Sequence, residues 1–242
     1  MTLRHHTHSV FRRLVTGVTT AVVGVGVVGV LLSQPAQADS ERIGIIGAGS
    51  VGQTLAQLWI KSGHPVMISS RHPDEISDTA QALGAKVGTP EEAARYGDVV
   101  VTAVPFSALP DIGKSEGKLL ADKVVLDPSN PYPSRDGEMA SQAASSSSGE
   151  VSAKALGTQH LVRAFNTLAM GTLSGQAGSS DPVGIPLASD DQHAIEVVSQ
   201  LIKDAGFVPV VAGGLSTSKR FDPSSSVFLN PMSPDQLKSA LN

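Results

Sequence analysis

Short runs that are apolar throughout alternate along this chain with stretches whose apolar positions recur every three or four residues. Residues 43–46 are the first apolar run, uninterrupted enough for a strand buried on both faces. Residues 53–59 follow, with Leu55, Leu58, Trp59 and Ile60 on one side at helical spacing. His64 and Pro65 close that helix, and residues 66–69 form a second strand. Further along, the pattern predicts a helix over 78–83, a short strand at 86–87, a helix start at 90–94 and a strongly apolar strand over 98–104. Strands are predicted at 123–126 and 161–165, then a closing strand, helix and strand over 183–188, 192–205 and 208–211. Residues 140–149 are Ser-rich without periodicity and read as a flexible loop. This alternation predicts an α/β, Rossmann-type doubly wound fold, a mostly parallel sheet with helices on both faces, in a single domain.

The turn after the first strand carries the chemistry. Residues 42–52 read RIGIIGAGSVG, a strand, a glycine turn and the start of a helix, as a dinucleotide fingerprint requires. Gly47 permits the tight turn, Gly49 leaves room for a pyrophosphate against the backbone, and Gly52 lets the helix pack closely on the strand. The phosphates would lie at the helix N-terminus, where free N–H groups and the dipole favour negative charge. Gly24, Gly26 and Gly29 repeat the spacing, but inside an uncharged run over 14–32 with no amphipathic helix after it. That copy is part of a targeting segment.

An NAD-preferring site places an Asp or Glu near the end of the second strand, on the ribose hydroxyls. This chain has Ser69, Ser70, Arg71 and His72 there, and its first carboxylate is Asp74. A 2′-phosphate would meet hydroxyl and guanidinium donors in place of a repelling anion. The expected cofactor is therefore NADP, with Ser70, Arg71 and His72 as its selectivity residues.

Residues 1–38 look like a signal peptide. Arg4, Arg12 and Arg13 precede the apolar run, and Pro35, Ala36, Gln37 and Ala38 form a small-residue cleavage site. The Arg12–Arg13 pair resembles a twin-arginine signal, which implies export to the periplasm or outside. An uncleaved membrane anchor is the alternative, since the run is just long enough to span a bilayer. His5, His6 and His8 lie in this removable segment, so no metal site is expected from them. Residues 39–242 would form the NAD(P)-binding domain with a short C-terminal tail. Cleavage leaves 204 residues and, by removing three arginines and no acid, takes the net charge from −4 to −7. An acidic chain without a basic run argues against nucleic acid as a partner. The absence of cysteine excludes disulfides, thiol catalysis and thiolate metal sites.

Together these pieces resemble the NADP-dependent oxidoreductases that use the deazaflavin coenzyme, and the related nucleotide domain of the six-transmembrane metalloreductases. The resemblance rests on IGIIGAGSVG, the SSRHP turn, VVVTAVPF, LDPSNPY and RAFNTL, then on the closing stretch over 185–215. It implies that Gly47, Ser50, Val51 and Gly52 hold the pyrophosphate and that Ser70, Arg71 and His72 hold the 2′-phosphate. It further implies that Ala103, Val104 and Pro105 line the ribose and approach the nicotinamide, with Asn130, and Asn166 and Thr167 as positioning candidates, at later strand ends. A turn or capping role for Asn166 stands beside that one. Past Leu215 the chain departs from the family: STSKRFDPSSSVFLNP and a short helix near Ser233 stand where the family has a long helix that helps form the acceptor pocket and, in some members, a dimer.

Transfer of a hydride to a flavin-like ring needs stacked rings and little acid or base help, so the lack of a clear catalytic Lys or Tyr–Lys pair fits a deazaflavin, flavin or related acceptor. Two alternatives stand beside it: an exported NADP-binding module without turnover, and a serine hydrolase built on Ser50 within AGSVG. The export expectation has a direct test. Changing Arg12 and Arg13 together to Lys should hold the precursor in the cytoplasm, whereas a mature N-terminus at Asp39 still found outside the cell rules out the twin-arginine route.

Overall fold

A computed structural model describes residues 40–242 of the chain. The expected signal segment, with its arginine pair, its histidines and the Gly24 spacing, lies outside the described residues. Within them, an eight-stranded sheet runs in the order β3-β2-β1-β4-β5-β6-β7-β8. The strands are β1 (Ile43–Ile46), β2 (Val66–Ser69), β3 (Lys86–Gly88), β4 (Val99–Thr102), β5 (Val124–Asp127), β6 (Leu161–Ala164), β7 (Gly184–Ala188) and β8 (Val208–Gly213). The first six pair in parallel, β7 runs antiparallel to β6, and β8 runs parallel to β7. This is a Rossmann-type α/β fold with a reversed pair at one edge. The strand order reverses between β1 and β4, the place where open parallel sheets bind their ligands.

The central strands are buried on both faces because their side chains alternate between two cores. Ile43, Ile45, Val99, Val101 and Leu126 join one core with α1 (Ser50–Lys61) and α8 (Gln192–Asp204). Ile46, Val100 and Val125 join the other, against α4 (Leu109–Leu120) and α6 (Ser148–Leu156). Trp59, wholly buried, anchors the first core: its indole N–H donates to the Leu201 carbonyl at 2.9 Å, and its ring meets Phe165 edge-on at 5.8 Å. The remaining helices are α2 (Ser77–Leu83), α3 (Pro90–Tyr96), α5 (Pro133–Ser145), α7 (Met170–Gln176) and α9 (Pro234–Ala240). A capping box at Thr89 starts α3, and one at Ser233 starts α9. Leu237 of α9 packs with Val210 and Phe221, so the last helix covers the β7–β8 end of the sheet.

Several expectations need correction. The Ser-rich stretch over 140–149 is not a loop: it holds the end of α5 and the start of α6. Ser147 caps α6 by accepting the Glu150 N–H, and Ser148 and Ser152 are buried in polar contacts. These serines serve tertiary hydrogen bonds, which hydropathy does not register. The β4 and β6 strands end early, at Thr102 and Ala164, leaving Val104 and Phe165 in the turns that follow. Helices α4 and α7 had no clear signal. In α4 the reason is Gly113 and Gly117, residues that weaken a helix in isolation.

Gly113 is required by packing. A Cβ there would overlap the carbonyl oxygen of Ala155 on α6, whereas one on Gly117 would lie 3.4 Å from the Leu156 carbonyl oxygen. Gly113→Ala should therefore lower stability by roughly 1–3 kcal/mol as the two helices are forced apart, and Gly117→Ala should cost much less. Urea unfolding of the two variants checks this, with equal midpoints as the contrary result.

Candidate functional site

The three fingerprint glycines each meet a different physical demand. Gly47 has φ +113°, and a Cβ on it would overlap the Ala103 carbonyl oxygen. A Cβ on Gly52 would overlap the Gly47 carbonyl oxygen, so this residue sets how closely α1 approaches β1. Gly49 is the open one: its φ is −75°, which any residue adopts, and nothing lies within 4 Å of a Cβ built there. It is the N-cap of α1, which has no side-chain cap and no acid in its first turn. The uncapped end of α1 is a ready site for an anion.

A cleft of about 240 Å³ opens from that end across the switch point. Gly49, Ser50 and Val51 form one wall, Ala103, Val104 and Pro105 after β4 form the floor, and Pro128, Ser129, Asn130, Tyr132 and Arg135 after β5 form the far wall. Sequence reasoning therefore placed Ser50, Val51, the 103–105 turn and Asn130 in one cleft. Asn166 and Thr167 do not line it. Both are buried, and Asn166 acts through Asn130: its Nδ2 donates to Asn130 Oδ1 at 3.2 Å and to the Phe221 carbonyl at 3.1 Å, while Asn130 Nδ2 donates to the Asn166 carbonyl at 2.9 Å. Phe165, buried with φ +60°, makes the turn that brings Asn166 to this position. Such a strained backbone persists only where surrounding packing holds it.

At the end of β2, Ser70, Arg71 and His72 form a short turn in which the His72 N–H donates to Ser70 Oγ at 3.1 Å. Arg71 and His72 are exposed, and Arg71 has no hydrogen-bond or ion-pair partner among the described residues. Ser69 is different. Its hydroxyl is buried and donates to the Ile45 carbonyl at 2.9 Å, so it holds β2 to β1 and offers nothing to a ligand.

Two charged constellations escaped the sequence analysis. Near the cleft, Arg135 donates from Nε to Asp136 Oδ1 at 3.0 Å and from Nη2 to Asp136 Oδ2 at 2.9 Å and the Asn130 carbonyl at 2.7 Å. Its guanidinium lies 5.0 Å from the centre of the Tyr132 ring. Burial alone would push the Asp136 pKa up, but hydrogen bonds from Arg135, the Tyr132 N–H and the Ser107 N–H outweigh it and hold this carboxyl below the ordinary range. The available signal was local: Pro133 followed by Ser, Arg and Asp is a helix start with its acid in the first turn. Deeper in, Arg163 of β6 donates from Nη1 to Asp127 Oδ2 at 2.8 Å, with both side chains fully buried. Asp127 and Arg163 belong to the LDPSNPY and RAFNTL motifs, and their charges answer each other.

Residues 42–131 match the model of the family described as NADP oxidoreductase, coenzyme F420-dependent. Metalloreductase STEAP3 of Rattus norvegicus is 29% identical over 188 residues, 76% of this chain and 36% of the relative. Mitochondrial 3-hydroxyisobutyrate dehydrogenase of Homo sapiens is 29% identical over 101 residues, 38% of this chain and 30% of the relative. The chain thus spans about a third of the length of these curated relatives. Among solved structures, a hypothetical protein from Sinorhizobium meliloti superposes with a TM-score of 0.69 at 25% identity, covering 79% of this chain and 95% of that one. A candidate F420-dependent NADP-reductase from Arthrobacter gives a TM-score of 0.62 at 20% identity over 74% of this chain and 88% of its own, which speaks to fold.

The turn after β2 generates a specific expectation. Arg71→Ala should weaken NADPH binding about tenfold and NADH binding hardly at all, the low end for a charged hydrogen bond because the group is exposed. Calorimetry with both nucleotides checks this, and an equal loss for both removes Arg71 from the 2′-phosphate.

Proposed function

We propose that the protein is an NADP-dependent oxidoreductase that passes a hydride between NADPH and a deazaflavin, flavin or related ring acceptor. One observation carries this reading: the uncapped N-terminus of α1, with Gly49 open to solvent, forms a wall of the cleft at the strand-order reversal. The residues fit the nucleotide. Backbone N–H groups of Ser50, Val51 and Gly52 would take the pyrophosphate, Ser70, Arg71 and His72 the 2′-phosphate, and Ala103, Val104 and Pro105 would support the ribose and nicotinamide. NADPH, when bound, supplies the hydride, and the protein's share is placement and exclusion of water.

The chemistry of the lining favours a ring acceptor over an ordinary carbonyl. Among the described residues no lysine, histidine or carboxylate lines the cleft, so a carbonyl under reduction would have only the Tyr132 phenol as a proton donor, whereas hydride transfer to a ring acceptor needs little acid help from the protein. A serine hydrolase fares worse, because Ser50 makes no hydrogen bond to a histidine among the described residues. His64 pairs with Asp204 and His160 with Asp191. A nucleotide-binding module without turnover has one observation in its favour: α9 packs on the β7–β8 end instead of supplying an acceptor pocket. Bound nucleotide with no transfer to flavin, deazaflavin or ferric acceptors would select it. Export through the twin-arginine segment completes the proposal, since a chain folded before export carries its nucleotide with it.

Gly49→Val tests the function directly. The protein should fold, because the valine fits the backbone and meets nothing, yet NADPH binding and NADPH-linked reduction of a flavin should vanish. Ser50→Ala should retain much of both, since backbone groups make the phosphate contacts. A folded Gly49→Val protein that binds NADPH normally refutes the proposal, and loss of ester hydrolysis in Ser50→Ala would select the hydrolase.

A further inference from the structure

Arg135 is held as a donor with one edge unused. Nε and Nη2 are committed to Asp136 and to the Asn130 carbonyl, and the flat of the guanidinium lies over Tyr132. Nη1 makes no hydrogen bond among the described residues. The side chain is 43% exposed and lines the cleft after β5, across from the α1 N-terminus. A second polar group in the same wall, Ser129 Oγ, is buried with no partner among the described residues.

Direction along the cleft assigns what Arg135 faces. The donors suited to a 2′-phosphate stand at the end of β2, so a dinucleotide crossing the switch point has its adenosine on the β2 side and its reacting ring on the β4–β5 side. Arg135 therefore stands at the reacting end. Its partner Asp136 offsets part of its charge and fixes the fork, leaving directed N–H donors.

We infer that Arg135 binds the acceptor of that proposed reaction, with the N1–C2=O edge of the acceptor's pyrimidinedione ring toward Nη1. This rests on the proposed NADP-dependent function and names the residue that selects its acceptor. A hydride leaving NADPH, which becomes NADP⁺, forms a new bond to hydrogen on the central ring, and the displaced electron pair comes to rest at the N1–C2=O edge. The hydrogen bond from the Arg135 guanidinium, made to a neutral edge of the oxidised ring, would then run to an anionic one and be stronger in the reduced state.

The test uses equilibrium binding to the full mature chain saturated with NADP⁺, with riboflavin and FMN as probes followed by flavin fluorescence. Arg135→Met should weaken both probes about tenfold or more while NADP⁺ affinity, by calorimetry, stays within about twofold of the unaltered protein. Loss confined to FMN would assign Arg135 to the phosphate of the probe and overturn the inference, as would unchanged riboflavin binding or a matching loss of NADP⁺ affinity. Arg135→Gln, which keeps an N–H for Asp136, guards against a collapsed wall and should behave as Arg135→Met does. The unaltered protein gives an independent check: it should bind reduced riboflavin more tightly than oxidised riboflavin, and equal affinities overturn the inference. Failure to bind NADP⁺ at all would instead defeat the proposed function.

Discussion

The carboxyl ends of three neighbouring strands are tied together by one buried cation. Arg163 lies on β6 with no exposed side-chain surface and reaches Asp127 at the end of β5 and, at 3.7 Å, Asp222 in the C-terminal segment. Asp127 also accepts from the Thr102 hydroxyl of β4 at 3.2 Å, the Ser129 N–H at 2.9 Å and the Ser152 hydroxyl of α6 at 2.5 Å. Asp222 accepts from the Ser148 N–H and hydroxyl. A buried ion pair adds little stability compared with well-packed apolar groups, yet removing one partner costs about 3–5 kcal/mol because the other charge is stranded. The network therefore constrains where the chain goes more than how tightly it is held.

That constraint reaches the cleft. Ser129 and Asn130 follow Asp127 directly, so anchoring the carboxylate sets the wall after β5. Asn166 follows Arg163 by three residues and, through the strained turn at Phe165, locks Asn130 from the other side. The C-terminal segment closes the arrangement by offering the Phe221 carbonyl to Asn166 and Asp222 to the network. Arg135 is held in turn by the Asn130 carbonyl. The β4–β5 side of the cleft is thus rigid because each part is bonded to the next, whereas the α1 side needs only a glycine turn and the start of a helix.

This difference explains which parts of the site were legible. Gly47, Gly49, Gly52, Ser50 and Val51 lie within six residues of one another, and their demands are local: a positive φ, a close approach and an uncapped helix. The turn at Ser70, Arg71 and His72 is local as well, and the structure leaves Arg71 and His72 exposed, outside the lining of the cleft. Asn166 was read at the right strand end, but its burial behind Asn130 depends on a segment more than fifty residues later. Tyr132 and Arg135 gave no comparable signal, because an Arg beside an Asp in a helix start is ordinary until the fold sets it against a cleft.

By itself the sequence determined the alternation of strands and helices, the buried character of the central strands and the nucleotide turn, because each follows from periodicity or from glycine over a few residues. Tertiary structure alone decided that the stretch over 140–149 forms the ends of two helices, since the Ser147 and Ser148 hydroxyls find partners in the C-terminal segment. It alone decided that α4 is a helix despite two glycines, because α6 leaves no room for a side chain at Gly113. It decided the reversal of β7 and β8 and the pairing of Arg163 with Asp127 as well. Hydrogen bonds, ion pairs and close backbone contacts between distant residues leave no periodic trace in the chain that makes them.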